Sequence, residues 1–143
     1  MQSQSKDDEA GFTLAELMVV IVIIGLLATL VVPNVMQKLS KANAAKAKFD
    51  ITTIANAINS YAVENGGRYP ESLEVLVMPD SNGRSALDRD SVPSDPWGNP
   101  YVFERAPSGS DKYRVISYGK DGQPGGEGDD ADLDNIRIKN GEI

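Results

Sequence analysis

Gly11-Phe12-Thr13-Leu14-Ala15-Glu16-Leu17 heads the segment on which the architecture turns, and Met18 to Met36 completes it. From Leu17 to Met36 no residue is charged, and Val, Ile and Leu dominate. Coiled as a helix at ~1.5 Å per residue, such a run spans the ~30 Å hydrocarbon core of a bilayer. It lies near the N-terminus and is followed by about a hundred mostly polar residues, so the chain reads as an anchor carrying one domain.

Two details set this anchor apart. Glu16 sits in the apolar segment, where a carboxylate costs at least ~2.5 kcal/mol at the bilayer centre and less near the interface. Either it complements the helix dipole from the first turn, or it awaits a cationic partner within an assembly. Both readings stay open on physics alone. The second detail is the junction Ala10-Gly11, a small-residue step behind a polar leader. Ordinary secretory signals are cut after the apolar segment. A cut here, before it, leaves the apolar helix on the mature chain.

Helical character runs on beyond the anchor, with Gly25 and Pro33 as weak points. From Gln37 the composition turns amphipathic. Ala47, Ile51, Ile54, Ile58 and Tyr61 form one apolar stripe at helical spacing, while Lys41, Lys48, Asp50 and Glu64 fall off it. Asn65-Gly66-Gly67 ends the helix, because these residues accept the left-handed cap conformation. One helix from Phe12 to Asn65 follows, ~80 Å long if unbroken. Its stripe needs a cover. Tyr69–Leu76 reads as a short helix begun by Pro70, Met78–Ser94 as a polar loop, and Asp95-Pro96-Trp97-Gly98-Asn99-Pro100 as a turn cluster. Tyr101–Arg105 and Tyr113–Ser117 alternate as strands joined by a turn at Pro107–Asp111, and a third strand is expected at Asn135–Lys139. Such short strands form no core alone, so the helix stripe must cover them. Trp97, between Pro96 and Gly98, reads as a plug for that small core rather than a ligand platform. The alanines from Ala42 to Ala47 read as close helix packing rather than a site.

Composition narrows the chemistry. The chain has 143 residues, a net charge of −7, no cysteine and no histidine. Negative charge disfavours nucleic acid and anionic lipid as partners. Disulfides, thiol chemistry, His-based triads and Cys or His metal sites are excluded. No P-loop or Gly-x-Ser-x-Gly motif is present, so a membrane-anchored enzyme is disfavoured and no catalytic residue is assigned. Charge bias alone, with Lys38, Lys41, Lys46 and Lys48 beyond the anchor and Asp7, Asp8 and Glu9 before it, would place the C-terminal domain in the cytoplasm.

Gly119–Asp134 is the most chemically loaded segment. It holds Asp121, Glu127, Asp129, Asp130, Asp132 and Asp134 among glycines, with Lys120 as its only base. Crowded carboxylates repel unless a cation neutralises them, and hard oxygen ligands favour Ca²⁺ over zinc or copper. The spacing is not that of an EF-hand. A calcium loop and a solvated acidic loop both remain open.

Two resemblances bear on these alternatives. Gly11 followed by Phe12-Thr13-Leu14-Ala15-Glu16-Leu17-Met18-Val19-Val20 resembles the type IV pilin-like signal. That likeness implies cleavage between Gly11 and Phe12 by a prepilin peptidase, N-methylation of Phe12, and pairing of Glu16 with a neighbouring subunit's amine. Asp95–Tyr101, Ser117–Gly122, Gly125–Gly128 and Ala131-Asp132-Leu133 resemble, in that order, the major pseudopilins of type II secretion systems. The family implies an α+β, type IV pilin-like fold: a long N-terminal helix on a small antiparallel sheet. It implies a leader at 1–11, a transmembrane helix at 12–36 and a globular domain at 37–143. It also implies a subunit that spans the bacterial inner membrane once, with its domain in the periplasm, and polymerises into a pseudopilus driving protein export. Expected partners are further copies, minor pseudopilins, an inner-membrane assembly platform and the peptidase. The alternative within the superfamily is a type IV pilin for adhesion or motility, which the lack of cysteine disfavours. The resemblance further implies a Ca²⁺ site on Asp121, Asp130 and Asp132. Asp129 and the backbone carbonyls of Tyr118 and Gly126 complete the candidate set.

Overall fold

The computed structural model describes residues 11–105 and 113–143. The leader residues 1–10 and the turn expected at Pro107–Asp111 lie outside the described residues. The chain divides into two compact units, Met1–Lys38 and Leu39–Ile143.

Helix α1 (Leu14–Glu64) is 51 residues long and continues through Gly25 and Pro33. It ends where the sequence provides a stop. Gly66 and Gly67 take φ of 67° and 85°. The Gly67 N–H reaches back to the Ala62 carbonyl at 2.7 Å, satisfying an acceptor that the helix leaves open. In the first unit every large apolar side chain from Phe12 to Met36 is between 50% and 86% exposed.

The second unit is built on the stripe of α1. Ile51, Ile54 and Ile58 are fully buried and Ala47 joins them, with Tyr61 packed at the edge. Full burial of each isoleucine contributes ~1.5–3 kcal/mol. Strands β1 (Val102–Glu104), β2 (Arg114–Ser117) and β3 (Leu133–Asp134) form an antiparallel sheet in the order β1-β2-β3. Tyr101, Tyr113, Val115 and Leu133 bring the sheet into the helix core, and Leu73, Leu76 and Leu87 close it from the connecting segment. Trp97 packs half-buried against this core, as expected of a plug. The alanines behave differently from expectation: Ala47 is buried, but Ala42 and Ala45 are exposed.

Three elements differ from the sequence reading. Pro70 does not open a helix; the turn there is a 3-10 segment, Leu73–Val77, that starts after Ser72. Asp50 is not on the solvent side of α1. It is 3% exposed, held by Lys46 at 2.5 Å, by Arg89 at 3.8 Å and by the Tyr101 hydroxyl, which donates at 3.3 Å. Burial, and then the Asp50 carboxylate, push the Tyr101 hydroxyl well above its ordinary pKa, so it stays a donor. The third strand is not Asn135–Lys139. Those residues belong to α2 (Asn135–Asn140), and the strand is the shorter Leu133–Asp134 before it. The cause is Asp134, whose Oδ1 accepts the N–H groups of Ile136 at 2.9 Å and Arg137 at 3.0 Å as an N-cap.

Candidate functional site

Two places carry candidate functional residues, one in each unit. At the start of α1, Gly11 is exposed, and a Cβ there would meet nothing within 4 Å. Phe12 is 86% exposed. Glu16 is not idle: its Oε2 accepts the Thr13 N–H at 2.8 Å, and the Thr13 hydroxyl accepts the Glu16 N–H at 3.2 Å. This reciprocal pair is a capping box, which satisfies two N–H groups that a helix start leaves open. The signature Thr-x-x-Glu is local in the sequence, and it adds Thr13 to the residues of this site. By length and composition α1 can cross a membrane.

The second place is the loop between β2 and β3. Its base is clamped by the sheet, because Ser117 pairs with Leu133. The loop folds back on itself. The Lys120 N–H donates to the Asp129 carbonyl at 2.8 Å. The two arms pass so close that only glycine fits. A Cβ on Gly119 would lie 2.6 Å from the Asp129 carbonyl oxygen, and one on Gly126 would lie 2.5 Å from that of Asp130. Both glycines have positive φ, 65° and 82°.

The candidate ligands stand as follows. Tyr118 lies half-buried at the loop's entry. Asp121 is exposed, and its Oδ1 accepts the Gln123 N–H at 3.1 Å. Both carboxylate oxygens of Asp132 accept the Gly125 N–H, each at 3.0 Å, while the Asp132 carbonyl accepts from Arg137 at 3.0 Å. Asp129 accepts a hydrogen bond from the Ser40 hydroxyl of α1. The Asp130 carboxylate, half-buried, makes no hydrogen bond among the described residues. Among those residues no three acids gather closely enough to hold a metal ion. The donor chemistry of the loop still fits a hard cation: all its side-chain acceptors are oxygen, its backbone is folded into a glycine cradle, and one carboxylate is uncommitted.

A second layer of contacts, between residues far apart in sequence, supports the loop from the turn before β1. Asp95 is 4% exposed and accepts from Trp97 N–H at 3.1 Å, Asn99 N–H at 2.8 Å and the Ser117 hydroxyl at 2.7 Å. The Asn99 amide donates to the Gly119 carbonyl at 2.8 Å. Asp134, at the loop's far end, is fixed by Arg114 at 2.9 Å.

Comparison with known proteins follows this geometry. Residues 34–136 match the family model described as type II secretion system protein G, and residues 6–32 match the prokaryotic N-terminal methylation motif. The type II secretion system core protein G of Vibrio cholerae is 40% identical over 92% of this chain and 94% of its own. That of Pseudomonas aeruginosa is 43% identical over 89% and 94%. Among solved structures, the crystal structure of the major pseudopilin from the type 2 secretion system of enterohaemorrhagic Escherichia coli superposes with a TM-score of 0.54. It shares 30% identity and covers 73% of this chain and 96% of its own.

Proposed function

The chain belongs to the protein G family of type II secretion systems, and from that premise we propose that it is a structural major pseudopilin, not an enzyme, which polymerises into a pseudopilus driving protein export. The observation that carries the reading is the first unit of α1. Its apolar side chains are exposed all round from Phe12 to Met36. Such a surface is stable only in lipid or against apolar surfaces of other chains, and a subunit that exchanges one for the other meets both needs. The methylation motif over residues 6–32 supports cleavage between Gly11 and Phe12 and methylation of Phe12. On this reading the domain lies in the periplasm, against the charge bias. Its partners are further copies, minor pseudopilins, the assembly platform and the peptidase.

Glu16 takes two roles in sequence. In the free subunit its capping box with Thr13 satisfies backbone donors at the helix start. In the filament its carboxylate pairs with the amine that cleavage creates on a neighbour's Phe12. The test is expression with the cognate peptidase, followed by N-terminal mass and recovery of sheared filaments. Wild type is expected to start at methylated Phe12 and to form filaments, Gly11→Val to remain uncut, and Glu16→Ala to be cut and membrane-held without filaments. Filaments from Gly11→Val, or filaments from Glu16→Ala at the wild-type yield, would refute the assignment.

The loop is proposed to bind Ca²⁺ through Asp121, Asp130 and Asp132, with backbone carbonyls of Tyr118 and Gly126. Asp130 is preferred to Asp129 because its carboxylate is uncommitted, whereas Ser40 holds Asp129. The ion supplies the positive charge that the crowded acids lack, and it staples a loop that has no disulfide.

A further inference from the structure

We infer that Asn99 is a positioning residue for the calcium loop, holding the arm that carries Asp121 in place before the ion arrives; this rests on the calcium reading above. Residues 120–128 are exposed throughout, so apolar burial does nothing to order them. Order in that arm must come from hydrogen bonds, and few reach it from outside the loop. Asn99 provides one where the chain enters the arm, across twenty residues of sequence, from its amide to the Gly119 carbonyl at 2.8 Å. The same amide lies beneath the next turn. A Cβ on Gly122 would stand 3.3 Å from both its nitrogen and its oxygen. Asn99 therefore underlies the arm at Gly119 and Gly122, the two glycines that bracket Asp121. Both have positive φ, 65° and 67°, so a side chain at either would be strained.

Asn99 is itself fixed. Its N–H donates to buried Asp95, and its carbonyl accepts the Asp95 N–H at 2.8 Å. The other oxygen of Asp95 takes the Ser117 hydroxyl, which in turn accepts the Gly119 N–H at 3.3 Å. Asp95, Ser117 and Asn99 thus tie both the carbonyl and the N–H of Gly119 to a turn rooted in the core. Groups that hold ligand-bearing backbone raise affinity by removing ordering entropy from the binding step, as outer-shell partners do at other metal sites.

The experiment uses the full chain in detergent, titrated with Ca²⁺ by calorimetry and melted separately in a chelator. Asn99→Ala keeps the backbone bonds of the turn and loses only the amide. Asn99→Asp keeps the shape but cannot donate to the Gly119 carbonyl. Both are expected to bind Ca²⁺ about tenfold more weakly, by analogy with losses of outer-shell partners. Their melting temperatures in chelator should stay near the wild-type value. Wild-type affinity in both variants overturns the inference. So does a fall in melting temperature that is equal with and without calcium, since that marks a structural role alone. A wild type that binds no calcium overturns the calcium reading and this inference with it, whereas wild-type binding left unchanged in the variants removes this inference only.

Discussion

Removing the Asp134 carboxylate separates the two tasks that this residue performs. It is 1% exposed, caps α2 through Ile136 and Arg137, and receives the Arg114 guanidinium at 2.9 Å. Loss of an N-cap costs ~0.5–2 kcal/mol. Loss of a hydrogen bond to a charged group costs ~1.5–3 kcal/mol, and Arg114, 41% exposed, can recover water, so the low end applies to it. Asp134→Ala is therefore expected to cost roughly 2–4 kcal/mol. At ~4–8 °C per kcal/mol for a domain of this size, the melting temperature falls by about 8–32 °C. Asn is also a good cap, so Asp134→Asn keeps that bond, loses the charge and costs about half as much. The assay is thermal melting of the full chain in detergent, followed by fluorescence of Trp97, the single tryptophan. pH supplies an independent check. Burial pushes the Asp134 carboxyl up, but the Arg137 N–H, Arg114 and the Ile136 N–H outweigh it, so its pKa lies below the usual carboxylate value. A depressed folded pKa contributes stability that is present above the unfolded value of ~3.9 and lost as pH falls through the folded one. The gap between wild type and Asp134→Asn should thus be full at pH 6 and close at lower pH. An Ala variant melting within about 3 °C of wild type, far less than the scaling requires, would refute the reasoning.

Two further outcomes are expected. Calcium should raise the melting temperature of the wild type, and Asp121→Ala should abolish that rise while melting like wild type in chelator; equal wild-type melting in calcium and chelator would leave the loop a solvated acidic turn. Ile54→Ala removes a fully buried side chain from the centre of the stripe and should cost ~2–5 kcal/mol by equilibrium unfolding, and a loss under 1 kcal/mol would mean that the stripe does not form the core.

The long helix was readable because an apolar run of bilayer length passes into a stripe of helical period, and its stop because Asn65-Gly66-Gly67 has few other uses. What escaped depends on partners far away in sequence. Asp50 looked like a surface acid until Arg89 and Tyr101, 39 and 51 residues on, arrived to neutralise and hydrogen-bond it. Ile136-Arg137-Ile138-Lys139 alternates like a strand, and period alone cannot outvote one capping carboxylate at Asp134. The Thr13–Glu16 box was local and legible, but membrane considerations drew the reading of Glu16 elsewhere. In the acidic loop the ligand types were visible, yet its shape was not. Closure depends on Gly119 and Gly126 passing the backbone of 129–130, and support comes from Asn99, outside the loop altogether.

The helix stripe and its cover lie at opposite ends of the message, and that sets a clock. Ser40 meets Asp129 across 89 residues, and the Tyr113 hydroxyl donates to the Ala55 carbonyl across 58. A ribosome adding ~5–20 residues per second makes Ser40 roughly 4–18 s before Asp129. For much of that interval the isoleucines of α1 have only Leu73, Leu76 and Leu87 of the connecting segment to meet, because β1 and β2 come late and β3 last. Chains cut short before Leu133 therefore do not lose a tail. They lose Leu133 from the core and the partner of one edge of β2, and they are expected to be degraded or held by chaperones rather than to accumulate as a smaller domain.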